Sequence, residues 1–96
     1  MPVTFEWDSN KAASNLRKHG VAFEEACTVL GDPLAAIFDD EEHSLDEPRE
    51  IVIGHSMRQR LLVVSFTQRG ADVVRIISAR KATKRERTDY EEGTES

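Results

Sequence analysis

Arg80, Lys81, Lys84, Arg85 and Arg87 put five of the chain's thirteen cations within eight residues. They begin where an apolar run ends: Val73, Val74, Ile76 and Ile77 are β-branched, follow the turn residue Gly70, and predict a strand over about residues 72–79. They continue into a helix. Thr83 and Glu86 have the spacing of a capping box, in which the Thr hydroxyl accepts from the Glu86 backbone N–H and the Glu86 carboxylate accepts from the Thr83 N–H. An arginine at a rigid strand end, beside a helix N-terminus, is well placed to hold a phosphate. The plain alternative is a solvated basic helix face.

Other cations extend this possibility. Arg60, Arg69 and Arg75 fall on or beside predicted strands, and Lys18 and His19 end a predicted helix. A surface of this kind can bind a phosphodiester. Cleaving RNA on it needs no metal, because the substrate's 2′-OH is the nucleophile. The protein must orient that group, take its proton, stabilise the charge that builds on the phosphorane and protonate the leaving 5′-oxygen. Arginine suits the charge-stabilising role through its planar fork of donors. Histidine suits the proton-transfer roles. For Lys18 and His19 the competing explanation is that last-turn cations complement the helix dipole.

The elements that must position these groups follow from periodicity. Phe5 and Trp7 flank Glu6 in a short strand or extended lead-in. Asp8 is a suitable N-cap for a helix over Ser9–His19, with Ala12, Ala13 and Leu16 on its apolar stripe and Gly20 at its left-handed end. Phe23, Ala26, Cys27 and Leu30 give a second amphipathic helix, stopped by Gly31, Asp32 and Pro33. It carries no cations, which argues against a DNA-reading helix–turn–helix. Residues 34–38 are a short apolar strand. Strands over about 50–56, 60–67 and 72–79 are joined by residues 57–59 and 68–71, links of hairpin length that impose an antiparallel meander. A last helix covers about 84–92, with almost no apolar stripe beyond Tyr90, and 93–96 form a frayed tail. The expectation is one α+β domain over 1–92, with two N-terminal helices packed on a mainly antiparallel sheet of about four strands, whose other face is left free.

Charge is unevenly spread. The net charge is −5, yet residues 39–50 hold seven acids against the single base Arg49, and the rest of the chain holds eleven acids and twelve bases. An acidic total therefore leaves room for a nucleic-acid substrate. Residues 39–48 read as an exposed, mobile acidic loop. Carboxylates near His43 do not have the spacing of a calcium or zinc site, and no metal or other cofactor is expected. Cys27, the only cysteine, reads as a small core residue. No apolar run approaches a membrane span and no signal pattern opens the chain, so the expected setting is cytoplasmic, with no membrane partner.

Longer runs carry a resemblance. Residues 5–8 and 11–26, then Asp32 and Pro33, His43 and Ser44 in the acidic loop, Arg49, residues 54–56, 60–67, Arg69 and 75–87 resemble, in order, the BrnT family of bacterial toxins. The similarity spans about residues 4–91. It implies a RelE-like fold and a metal-independent RNA endonuclease of a type II toxin–antitoxin pair. It also implies a BrnA-type antitoxin that neutralises the toxin and through which alone the complex meets DNA, and it allows a toxin dimer within that complex. Under this resemblance Arg80, Arg60 and His19 are the catalytic candidates, and Lys18, Arg69, Arg75, Lys81 and Lys84 are the RNA-binding ones. Arg80 is expected to face one concave basic surface together with Arg60 and the Lys18–His19 helix end. The alternative is a non-catalytic partner- or DNA-binding module on the same fold.

Overall fold

The two hairpins set the architecture. In the computed structural model, which describes residues 3–43 and 47–95, β1 (Thr4–Glu6) leads into α1 (Ser9–His19) and α2 (Phe23–Val29). Then come β2 (Ala36–Asp39), one 3-10 turn (Glu41–His43), β3 (Glu50–His55), β4 (Leu61–Gln68), β5 (Val73–Lys81) and α3 (Lys84–Glu95). Strands β2 to β5 are antiparallel neighbours in chain order; the short links β3–β4 and β4–β5 require it, and β2 joins β3 across the ten-residue acidic segment. The sheet has five strands in the order β1-β5-β4-β3-β2, not about four. The extra one is the Phe5 lead-in, which pairs parallel with β5 because two helices intervene and form the crossover. Helix α3 runs through Glu95, past the expected end at 92. Of the acidic stretch 39–48, residues 39–43 form a strand end and the 3-10 turn, while 44–46 lie outside the described residues.

Local signals explain the helices. The Asp8 carboxylate accepts from the N–H groups of Asn10 and Lys11, at 2.8 and 3.1 Å, which holds its pKa below the usual carboxylate range. Gly20 closes α1 at φ 70°. The two helices cover one sheet face. Val21, Phe23, Ala26 and Val29 meet Val52, Leu62, Val64, Phe66, Val74, Ile76 and Ala79 there. Cys27 is half-buried against this core, and burial pushes its thiol up to about 11, in keeping with a packing role.

The other sheet face, expected to be free, is partly covered. Tyr90 of α3 packs there against Ile53, Leu61 and Val63. Its hydroxyl donates to the Leu34 carbonyl at 3.1 Å. It is the one buried side chain of α3 among the described residues, and so the main apolar anchor of a nearly all-polar helix.

Candidate active site

One irregularity in β5 decides where Arg80 points. Ser65 pairs with Ser78 and Phe66 with Ile76, so Ile77 is an extra residue, a β-bulge. Before it, Val74 and Ile76 face the helices; after it, Ala79 does. The bulge thus shifts the alternation by one, and Ser78 and Arg80 emerge on the face away from α1 and α2. Without it Arg80 would be driven into the main core. Asn15 of α1 fixes this register. Its Nδ2 donates to the Ala79 carbonyl at 2.8 Å and to the Val21 carbonyl at 3.0 Å, and its Oδ1 accepts from the Ala79 N–H at 3.1 Å. Strand β1 pairs with β5 only over Val73–Arg75, so the Asn15 amide takes the place of a strand neighbour further along.

On the open face Arg80 meets α3. The Arg80 Nη1 and Nη2 groups donate to the two Glu86 carboxylate oxygens at 2.7 and 2.9 Å. The same carboxylate accepts from the Thr83 N–H at 2.8 Å, and the Thr83 hydroxyl accepts from the Glu86 N–H at 3.1 Å, which is the expected capping box. The Arg80 guanidinium, above all, holds the Glu86 pKa down to about 2. Arg80 remains about two-fifths exposed.

Arg80 stands between two clefts on this face. One, of about 450 Å³, is apolar and runs between β2, β3 and α3, with Leu34, Phe38, Ile51 and Ile53 along it and Glu86 and Asp89 at its edge. The other, of about 310 Å³, is polar. Arg49, Ser65, Ser78 and Arg80 line it together with Asp40, Glu42 and His43 from the end of β2 and the 3-10 turn. The His43 Nδ1 lies 3.0 Å from the Asp40 carboxylate. Among the described residues no three His, Cys, Asp or Glu side chains group to hold a metal ion.

The remaining candidates lie elsewhere. Arg60 extends β4 at a helix-facing position. Its Nε donates to Glu25 at 2.9 Å, one Nη2 contact reaches the other Glu25 oxygen, and Nη2 also donates to the Gly20 carbonyl at 3.1 Å. The Ser56 hydroxyl completes the Glu25 shell at 2.7 Å. These bonds, Arg60 first, pull the buried Glu25 carboxyl down to about 2. Arg60 therefore sits beside the end of α1, where Lys18 and His19 are exposed. The single surface expected to unite Arg80 with Arg60, Lys18 and His19 is not formed: the sheet lies between them, because the bulge turned Arg80 over. Arg75 pairs with Glu6 at 2.8 Å and Arg69 with Glu47 at 3.3 Å, and Lys81 and Lys84 are exposed.

The polar cleft contains residues that sequence reading did not single out for chemistry. Arg49 and His43 lay in a run dominated by carboxylates, which reads as solvated loop. The usable signal was the spacing of three between Asp40 and His43, which one 3-10 turn brings together. Asn15 gave no signal at all, since a buried amide on a helix is indistinguishable from a surface one.

Residues 7–86 match the family described as ribonuclease toxin, BrnT, of type II toxin–antitoxin system. The fold is similar to the crystal structure of the Brucella abortus ribonuclease toxin, BrnT, with a TM-score of 0.67 and 26% identity over 85% of this chain and 99% of that one. A sequence search of curated proteins gives no match.

Proposed function

This chain belongs to the BrnT family of ribonuclease toxins of type II toxin–antitoxin systems, and from that premise we propose that it cleaves RNA on the open face of its sheet, with Arg80 as the charge-stabilising group. The observation that carries this reading is the bulge-directed exposure of Arg80 between the two clefts. A scissile phosphate in the polar cleft meets a planar donor fork with Arg49 nearby. The substrate's 2′-oxygen attacks phosphorus, the bond to the 5′-oxygen breaks, and the products are a 2′,3′-cyclic phosphate and a 5′-hydroxyl. Charge builds on the non-bridging oxygens in between, where a preorganised guanidinium contributes most. The chemistry requires no metal ion, since the nucleophile is part of the substrate.

A BrnA-type antitoxin is the natural inhibitor. By covering the apolar cleft and Arg80 together it blocks the substrate, with exposed Leu34 and Phe38 beside the guanidinium as its landing area. DNA enters only through that antitoxin, and the setting is cytoplasmic. The competing reading, a non-catalytic module, is favoured by the completeness of the Arg80–Glu86 pair, which gives Arg80 a purely structural use. Pure protein incubated with unstructured RNA in excess EDTA separates the two. Cleavage with cyclic-phosphate ends, lost in Arg80→Ala, is expected; intact RNA would leave only the binding module.

A further inference from the structure

We infer that His43 is the general base of this site and that Asp40 is its positioning residue, an assignment that rests on the ribonuclease reading above. His43 ends the 3-10 turn with its ring about three-fifths exposed, while the Asp40 side chain is only 13% exposed. The ring Nδ1 lies 3.0 and 3.2 Å from the two Asp40 oxygens. An ionised carboxylate can only accept, so this bond places the hydrogen on Nδ1 and leaves the Nε2 lone pair as the reactive position. Asp40 is itself tied to the sheet, its N–H donating to the Arg49 carbonyl at 2.9 Å, and the His43 N–H closes the turn onto the Asp40 carbonyl at 3.3 Å. The pair is therefore mounted on the strand that borders the cleft, and both residues line it.

The cleft supplies the complementary half. Arg80 lines it with His43, so an anion held at the Arg80 guanidinium stands in the same cavity as the ring. His19 cannot fill this role, as it ends α1 on the side of the sheet where Arg60 lies. In the step assigned to His43, Nε2 takes the proton of the 2′-OH as the 2′-oxygen bonds to phosphorus. The bond from phosphorus to the 5′-oxygen then breaks, and that oxygen is protonated by water. The imidazolium returns its proton to solvent. Among the described residues, the charged groups that line the cleft with the ring are Asp40, which precedes its turn, Glu42 within the turn, Arg49 before β3 and Arg80 of β5, whose partner is Glu86 of α3; Glu41 belongs to the same turn.

The test follows the cleavage rate of a short unstructured RNA from pH 5 to 9 for the whole chain, His43→Ala, Asp40→Asn and Arg80→Ala. For the unsubstituted chain the rate is expected to rise with pH through one ionisation, that of the general base. His43→Ala should lose on the order of 100-fold or more in rate, with that ionisation gone and RNA affinity little changed. Added imidazole should restore part of the loss in His43→Ala and none in Arg80→Ala. Asp40→Asn should lower the rate and displace the pH profile. His43 is exposed, so its variant should keep the melting temperature, which is read on the same samples. A His43→Ala rate equal to that of the unsubstituted chain, or a rate that falls as pH rises, overturns the assignment while Arg80-dependent cleavage stands. RNA left intact by the unsubstituted chain at every pH overturns the ribonuclease reading, and this one with it.

Discussion

Glu86 grips Arg80 with both carboxylate oxygens, at 2.7 and 2.9 Å, and caps its own helix with the same group. The carboxylate thus occupies the donors a phosphate would use. Substrate has to share the guanidinium or displace Glu86, so the pair holds Arg80 in position and competes with RNA at the same time. Arg80→Ala should cost on the order of 100-fold in turnover, about 3 kcal/mol, with a smaller effect on affinity. Arg80→Lys should not restore it, because an ammonium has no planar fork. Glu86→Gln should tighten RNA binding and lower the melting temperature, since the ion pair is lost while part of the cap survives. Turnover, affinity and melting measured on one sample decide the matter: if Arg80→Ala only melts earlier and its folded fraction cleaves normally, Arg80 is structural.

Asn15 serves three buried backbone groups, the Val21 carbonyl and both peptide groups of Ala79. Asn15→Ala would leave all three without that partner at the point where the bulge ends. The expected loss is on the order of 2–4 kcal/mol, or roughly 10 °C or more in melting temperature for a chain of this size. Asn15→Asp should be no better, because a carboxylate cannot donate to the two carbonyls. Activity should fall in the folded fraction as well, since Arg80 is the next residue. Thermal melts with an activity assay below the transition check both parts.

Much of the frame was legible in the sequence for local reasons. Asp8, Gly20 and the Thr83–Glu86 box are short-range signals, and hairpin-length links admit only antiparallel neighbours. The strand of Phe5 was ambiguous because three residues gain strand character only by pairing with β5, 69 positions away in the Thr4–Val73 register. The site was less legible for the same reason. Arg80 could be picked out as a fixed cation, but its face depends on the one-residue bulge at Ile77, and nothing in a run of β-branched residues marks which one will be skipped. Arg60 looked equally available; its capture by Glu25, 35 positions away, is a tertiary event.

Glu25 and Glu86 give the protein an acid limit. Both carboxyls are held down to about 2 from an ordinary 4.5, each chiefly by an arginine. A depressed folded pKa means that the unfolded chain binds the proton more readily. The stabilisation is therefore complete above about pH 4.5 and is lost as pH falls towards 2. Melting temperature should drop steeply across that window. Glu25→Gln should remove a large part of the slope and lower the melting temperature at neutral pH, because it leaves the Arg60 charge without its carboxylate. A melting profile from pH 2 to 7 that is the same in Glu25→Gln as in the unsubstituted chain would show that this pair contributes nothing.

Tyr90 is the anchor that keeps α3 over the open face. Its ring lies edge-on to His55 at 5.7 Å, and its hydroxyl donates to Leu34 and approaches Asp32 at 3.5 Å. Asp32 in turn accepts from the His55 N–H at 2.8 Å. Gly54 makes room for this arrangement, since a Cβ there would stand 2.8 Å from the Ala35 Cβ and 3.0 Å from Asp32. Tyr90→Phe should cost about 1 kcal/mol, the net value of one hydrogen bond. Tyr90→Ala should release the helix as a unit, because its other described side chains gain little from burial. Amide exchange over 84–93 should then accelerate by a large factor while β3, β4 and β5 keep their protection. Burial, followed by the nearby Asp32 charge, raises the Tyr90 pKa above its usual 10. The stabilisation from this group is complete below pH 10 and should fade as pH rises past that point, with the phenolate forming only once α3 loosens. Exchange in α3 that is unchanged by Tyr90→Ala would mean that the Arg80–Glu86 pair alone holds the helix, and the anchoring role would pass to it.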